Sequence, residues 1–311
     1  MQEKNLGLIY AVITAVFWAI LAIALKVSLK TLNAMTIVWF RFIFSASALL
    51  IYFIWKKHTW LSFKKFPTDS VLAGLFLGLN YYGFMKGIEY TSPSVAQIII
   101  QIGPLLLALA GLALYNEKLN PIQIFGFVIA LVGFFLFYSD GLDSVSLGPD
   151  YQTGITWTAV AAVSWTIYAL FQKNAIKTVS PQEINFIIYI VAGSIFCFLA
   201  DYQSLTTVPL DVWPLIIFLG LNTLIAYGAL AEALKRAPSN EISIIITVNP
   251  ILTIIIMEIL AFFNVGWINP EDISWRGYLG AFLVILGAIT VVSLGKKYYQ
   301  KLVLKNNPTS P

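Results

Sequence analysis

The chain has 311 residues, of which 59% are hydrophobic and 11% are charged. A soluble domain usually carries about 25% charged residues, so this composition excludes a surface that is mostly exposed to water. The net charge of +4 does not indicate nucleic acid, because the basic residues lie in short clusters between apolar runs, as they do in cytoplasmic loops of membrane proteins.

Apolar runs bounded by charge, proline or glycine predict ten transmembrane helices, since each span needs about 20 mainly apolar residues. The first run is too long for a signal peptide and is part of a repeat, so we interpret it as a structural helix. The predicted fold class is an all-α integral membrane protein. In chain order the predicted spans cover residues 6–25, 35–55, 70–87, 93–115, 121–138, 153–172, 183–200, 213–233, 241–263 and 277–294.

The distribution of charge predicts that both termini are cytoplasmic. Cytoplasmic connections carry the excess of positive charge, and with the N-terminus inside, fourteen of the nineteen Lys and Arg residues lie on the inner side. The outer connections carry acidic residues such as Asp143, Asp201 and Asp211 instead. The expected location is the plasma membrane, which in a bacterium is the inner membrane.

An internal repeat divides the chain into two halves. Residues 7–42 align with residues 154–189 at a constant offset of 147, which pairs Trp18 with Trp165. The segment 76–80, with the sequence FLGLN, recurs as 218–222. Five spans per half is an odd number, so the second half enters the membrane from the opposite side and the repeats are inverted. The predicted domains are residues 1–145 and residues 146–311, the second with a basic C-terminal tail.

These repeats resemble the ten-helix EamA-type members of the drug/metabolite transporter superfamily, over about residues 6–295. The resemblance implies transport of amino acids, drugs or other small metabolites through a cavity lined by the first, third and fourth helices of each half. The second half departs from the family pattern after Pro250, where a longer loop at residues 264–276 has no assigned role. The resemblance is carried by Trp18, Trp165, Pro104, Pro250, Glu117, Lys118, Gly126, Gly133, Gly280 and Gly287.

Polar residues inside spans are the first candidates for a solute-binding site, because each is costly to place in lipid. The third and eighth spans carry candidates at repeat-related places, with hydrogen bonding between helices as the alternative role. They are Asn80, Tyr81, Tyr82, Asn222 and Tyr227.

The fourth and ninth spans each carry a polar stripe. Gln97 and Gln101 are four residues apart and share one helix face, and Ser243 and Thr247 stand at the matching positions of the second half. These four residues are predicted to line the cavity.

Aromatic and proline residues complete the candidate site. Trp18, Trp165 and Tyr168 lie deep within their helices and are predicted to line the cavity, with aromatic core packing as the alternative. Rings that face the cavity would favour a solute with an apolar or aromatic part or a cationic amine. Pro104 and Pro250 should each bend a helix by freeing a carbonyl one turn earlier, so we predict that they act as hinges, with an ordinary kink as the alternative.

Three charged residues lie within or near the ends of the predicted spans. The favoured expectation for Arg41 is a side chain that reaches the outer interface, with an acid or an anionic solute group as the other partner. Lys86 and Glu232 stand near matching places in the two halves, as interface anchors or parts of a gate.

The predicted function is that of a secondary transporter, an exporter of small amphipathic metabolites such as amino acids or drug-like amines, working by alternating access. The alternatives are a nucleotide-sugar or other anionic-solute carrier and, in another class, a membrane-embedded receptor or enzyme. No catalytic residue, metal site or cofactor is expected, since the only histidine, His58, lies in a basic loop. The expected partners are a small-molecule substrate and the lipid bilayer, with protons as a candidate coupling ion.

Overall fold

The computed structural model describes residues 2–56, 67–115, 121–144, 149–175, 180–237, 242, 245–271 and 273–290. Within these ranges the chain is helical and contains no strand. The helices are α1 (Gln2–Ser28), α2 (Ala34–Trp55), α3 (Thr68–Tyr90), α4 (Pro93–Ile99), α5 (Ile102–Tyr115), α6 (Pro121–Ser144), α7 (Pro149–Ala175), α8 (Pro181–Cys197), α9 (Tyr202–Thr206), α10 (Trp213–Arg236), α11 (Asn249–Phe262) and α12 (Trp275–Ile289).

Side-chain caps explain where several of these helices begin. Asn33 accepts a hydrogen bond from the Thr36 amide at the start of α2, and Ser180 forms a capping box with Glu183 at the start of α8. Such oxygens satisfy amides that the first helical turn leaves without a partner. The short helix α9, which the apolar pattern does not predict, begins in the same way at Asp201.

The helices have the lengths and composition that membrane crossing requires. Six helical stretches in the described ranges are long and apolar enough to span a bilayer, and four shorter apolar helices of 10–17 residues accompany them. Together they match the ten predicted spans, with helix ends that differ by a few residues. The prediction of an all-α membrane protein is confirmed.

The two halves pack around a pseudo-two-fold axis. The pair formed by α3 and α7 corresponds to the pair formed by α10 and α1, because each brings the third span of one half against the first span of the other. Contacts between α2 and α8, and between α6 and α12, join equivalent spans directly. The interface between the halves is therefore built from repeat-equivalent surfaces.

Contacts at the two ends of the bundle show that the halves run in opposite directions. At one end, which we call the N-terminal face, Glu3 forms an ion pair with Arg236 at 3.2 Å. At the other end, which we call the Glu271 face, Lys26 near the end of α1 donates to the carbonyl of Thr91 at 2.7 Å. Gly154 near the start of α7 lies against Thr91. Thus α1 ends where its counterpart α7 begins, which is the inverted arrangement.

Glycines allow α6 and α12 to approach backbone to backbone. A Cβ atom added to Gly280 would lie 2.5 Å from the Phe137 nitrogen, and one added to Gly287 would lie 2.5 Å from the Ala130 nitrogen. Real Cβ atoms do not approach backbone so closely, so only glycine fits at either position. This contact holds the fifth spans of the two halves together at the periphery.

The predicted domain division at residues 145 and 146 lies outside the described residues, as do Glu117, Lys118 and the basic tail. The two-domain division by residue number therefore stays a prediction.

Candidate functional site

A central cavity lies between the two halves, with about 650 Å³ of empty space including its open mouth. Both halves contribute to its wall, which combines aromatic rings, carboxamides and one cation. The lining residues are Trp18, Leu21, Arg41, Asn80, Tyr81, Phe84, Gln97, Ile100, Gln101, Pro104, Trp165, Tyr227, Ile246 and Asn249.

Aromatic rings form one continuous part of the wall. The ring centroids of Trp18 and Tyr227 are 5.4 Å apart, and those of Tyr227 and Tyr81 are 5.8 Å apart. Trp165, the repeat partner of Trp18, also lines the cavity. These distances suit tilted ring packing, which presents a rigid apolar surface with polar edges.

The carboxamides of Gln97 and Gln101 lie on the same wall of the cavity. Gln97 donates through Nε2 to the Trp18 carbonyl at 2.9 Å, which fixes α4 to α1. Gln101 donates to the Gln97 carbonyl at 3.3 Å, and its Oε1 atom is buried with no partner among the described residues. Asn249 likewise leaves Oδ1 without a partner, so two buried acceptors belong to residues of the cavity wall.

Asn80 and Asn222 brace the two halves together. Asn80 donates to the Ala161 carbonyl of α7 at 2.9 Å, and Asn222 donates to the Phe17 carbonyl of α1 at 2.7 Å. Repeat-equivalent amides thus tie each third span to the first span of the opposite half. Asn80 also lines the cavity, whereas Asn222 is fully buried in this helix contact.

Arg41 corrects an expectation from the sequence. Its side chain does not reach the interface, because the residue is only 2% exposed and lies on the cavity wall. The Nε atom donates to Thr223 Oγ1 at 3.0 Å, and the guanidinium carbon lies 4.2 Å from the centre of the Tyr81 ring. Polar and aromatic contacts inside the bundle therefore hold the cation at the site.

Both spans that contain the candidate hinges are interrupted just before the proline. In the first half the helix breaks between α4 and α5, where Gly103 donates to the Ile100 carbonyl that Pro104 leaves free. In the second half α11 begins at Asn249, directly before Pro250. The interruptions agree with the chemistry of proline. Whether they act as hinges stays a prediction.

The remaining predicted site residues that the structure describes are not among those that line the cavity. Tyr82 packs between Trp157 and Phe196, and Tyr168 is buried behind Tyr227 with its ring edge-on, at 6.1 Å. Thr247 is buried outside the lining set, and Ser243 lies outside the described residues. Their predicted contact with solute remains a proposal.

Lys86 and Glu232 both form local ion pairs. Lys86 pairs with Glu89 at 2.6 Å, while Glu232 pairs with Arg236 and accepts from Gln182 at 2.8 Å. Neither residue is among those that line the cavity.

The long loop of the second half covers the Glu271 face. The Ser94 amide, in the first turn of α4, donates to Glu271 Oε1 at 3.1 Å, and Lys30 donates to the Trp267 carbonyl at 2.7 Å. Burial raises the pKa of the Glu271 carboxyl, against hydrogen bonding at Ser94 and the charge of Lys26, which lower it. The loop thus joins the second half to the first at this face.

Comparison with known proteins identifies the family. A model described as the EamA-like transporter family matches residues 5–139 and again residues 152–293. The chain belongs to this family. The family and the relatives below are described as transporters, which confirms the resemblance drawn from the sequence.

Two relatives and one solved structure are similar to this chain to different degrees. An uncharacterized transporter of Haemophilus influenzae is 33% identical over 293 residues, which is 93% of this chain and 95% of that protein. An aromatic amino acid exporter, YddG, of Ancylobacter novellus is 22% identical over 192 residues, which is 61% of this chain and 66% of that protein. A protein of known crystal structure has the same fold, with a TM-score of 0.65. The two chains are 17% identical, and the match covers 94% of this chain and 99% of that one.

Sequence reasoning overlooks Asn249 and favours the interface for Arg41, although both residues line the cavity. Asn249 stands where the repeat places Gly103, so a search for positions that are polar in both halves passes over it. Arg41 was recognised as an unusual charge, but only the packing of α2 against α10 shows that it faces inward.

Proposed function

We propose that the chain is a secondary transporter that exports small amphipathic metabolites, such as amino acids or drug-like amines, by alternating access around the central cavity. One observation carries this proposal. The cavity lies between two inverted halves, and both halves supply its wall. Rocking of inverted repeats around such a site is a general mechanism of secondary transport.

The chemistry of the wall supports a solute with polar and apolar parts. Trp18, Trp165 and Tyr227 provide apolar surface, while Gln97 and Gln101 provide amide groups. A cavity of mostly apolar walls with a few placed polar groups is the usual form of a small-molecule site. The name of the Ancylobacter novellus relative, an aromatic amino acid exporter, points to the same solute class.

Transport by the purified full-length chain in liposomes tests the proposal. Labelled amino acids and amines are measured in uptake and efflux, with and without a proton gradient. We expect saturable flux of at least one solute, and stimulation by an imposed gradient if protons are the coupling ion. A chain that transports none of these solutes in either direction would overturn the proposed function.

A variant pair links the flux to the cavity. Trp165→Ala removes a ring from the wall, and we expect a lower rate or an altered solute preference with normal insertion. Trp275→Ala is the matched control, because Trp275 is 70% exposed at the start of α12. Equal loss in both variants would mean that the effect does not come from the cavity.

Cysteine labelling tests the proposed orientation with cytoplasmic termini. Asp211 and Lys235 are exposed near opposite ends of α10, so each receives a cysteine in a background where Cys197 is replaced by serine. An impermeant reagent added to intact cells should label the first and spare the second. The reverse pattern would place the termini outside.

A further inference from the structure

The guanidinium of Arg41 is a buried cation without an acidic partner. One of its five N–H donors is used, by Thr223. Among the described residues, the other donors of Arg41 have no hydrogen-bond partner, and no carboxylate pairs with its side chain. Tyr81 and Thr223 nevertheless hold the group in one place, so the geometry is that of an oriented cation with donors to spare.

The depth of Arg41 makes this arrangement costly without a function. Arg41 is seven residues beyond Ala34, so at 1.5 Å per residue it lies about 10 Å from the start of α2. Charged residues at such depth usually face a bundle interior or cavity and mark the path of a substrate or ion. A fork of donors on the cavity wall matches the two oxygens of a carboxylate.

The rest of the wall distinguishes two solute classes within the proposed function. Arg41 repels a cation, and no acidic side chain is among the described residues that line the cavity. The buried acceptors of Gln101 and Asn249 suit an ammonium group, but only beside a carboxylate that offsets the charge of Arg41. A zwitterion or an organic acid therefore fits this wall, and a simple amine does not.

We propose that the cavity binds solutes that carry a carboxylate, with Arg41 as its partner, and that it discriminates against amines that lack one. This inference rests on the proposed transport function, and it decides between the amino acids and the drug-like amines named there.

Three probes that share a phenethyl group test the inference: L-phenylalanine, 3-phenylpropionate and phenethylamine. Their binding to the full-length chain in detergent is measured by calorimetry. We expect both acids to bind at least about tenfold more tightly than the amine. Arg41→Gln should weaken both acids roughly 30-fold or more, the usual result of removing one member of a buried charge pair.

Two further variants separate charge from fold. Arg41→Lys keeps the charge without the planar fork, so we expect an intermediate loss. Thr223→Val removes the acceptor that orients the guanidinium, and should weaken the acids but not the amine. Arg276→Gln, at an exposed arginine in α12, is the matched control and should bind all three probes as the parent does. If Arg41→Gln fails to fold, the other two variants carry the test.

Each outcome bears on a different claim. If the amine binds as tightly as the acids, if neither acid loses affinity in the Arg41 variants, or if the parent binds none of the probes, the Arg41 assignment is overturned. Flux of the same probes in liposomes is measured separately. Acid binding that depends on Arg41 but is not accompanied by flux would support the assignment and contradict the transport function. Amine flux that persists in Arg41→Gln would support transport and overturn the assignment.

Discussion

The second spans of the two halves occupy equivalent places but carry different chemistry. At the repeat offset of 147, Arg41 in α2 corresponds to Ile188 in α8. Arg41 lines the cavity, whereas Ile188 is fully buried in the main hydrophobic core. The comparison shows that the helix packing is repeated in both halves, whereas the charge on the cavity wall comes from one half.

The connections between the fourth and fifth spans differ in the same way. In the first half, residues 116–120 separate α5 from α6, whereas in the second half residues 263–274 separate α11 from α12. The longer loop brings Glu271 to the first turn of α4. An addition to one half thus contacts the other half at a single face.

The largest effect is expected from making the second spans alike. Ile188→Arg places a second cation in a core that offers it no partner, at a cost of about 3 kcal/mol on insertion scales. We expect poor expression and a lower melting temperature in detergent. Ile188→Val, which removes one methyl group, should remain close to the parent. A stable, fully active Ile188→Arg chain would show that the two positions are interchangeable.

The next effect concerns the contact in which the two halves are alike. Gly280→Ala forces a methyl group against the Phe137 backbone, and such overpacking costs about 1–3 kcal/mol. Gly228→Ala is the control, because nothing lies within 4 Å of a Cβ atom there. It should leave the melting temperature unchanged or raise it. Equal destabilisation by both would contradict the close approach of α6 and α12.

The prolines test whether the halves also bend alike. Pro104→Ala or Pro250→Ala restores a backbone donor, and one added hydrogen bond of about 1 kcal/mol would slow turnover about fivefold if the bend is needed for motion. Solute affinity should change less than turnover. Pro209→Ala, in an exposed turn before α10, should have no effect. If Pro104→Ala and Pro250→Ala both transport at the parental rate, these prolines bend their helices without a role in the motion.

The smallest effect is expected at Glu271. A carboxyl whose pKa is raised by folding binds its proton more tightly in the folded state, so stability is highest below the ordinary pKa of 4.5. It is lost as the pH rises from there through the raised value. Melting temperatures measured across this window should fall with pH in the parent. The Glu271→Gln chain should lack this component of the slope, and an identical slope in both would contradict the burial of the carboxyl.

The sequence predicted the spans and the repeat because both depend on patterns that lie along the chain. Apolar runs located all ten spans, and the offset of 147 paired Trp18 with Trp165, both of which line the cavity. The helix face on which a side chain lies is harder to predict. A span that is apolar all round has no water-exposed side to show which face points into the bundle. For this reason the sequence favours the interface for Arg41, whereas the structure places its side chain on the cavity wall.

The axis itself has a consequence for Arg41. Tyr81 and Thr223 are repeat equivalents, and their side-chain oxygens lie 3.5 Å apart, so they meet across the pseudo-two-fold axis. Arg41 contacts both and therefore lies beside that axis. Two identical five-helix chains assembled in this manner would bring two guanidinium groups into the same space, where their repulsion would separate them. Because the two halves of this chain differ in sequence at this position, Arg41 lies beside the axis without a symmetry-related arginine.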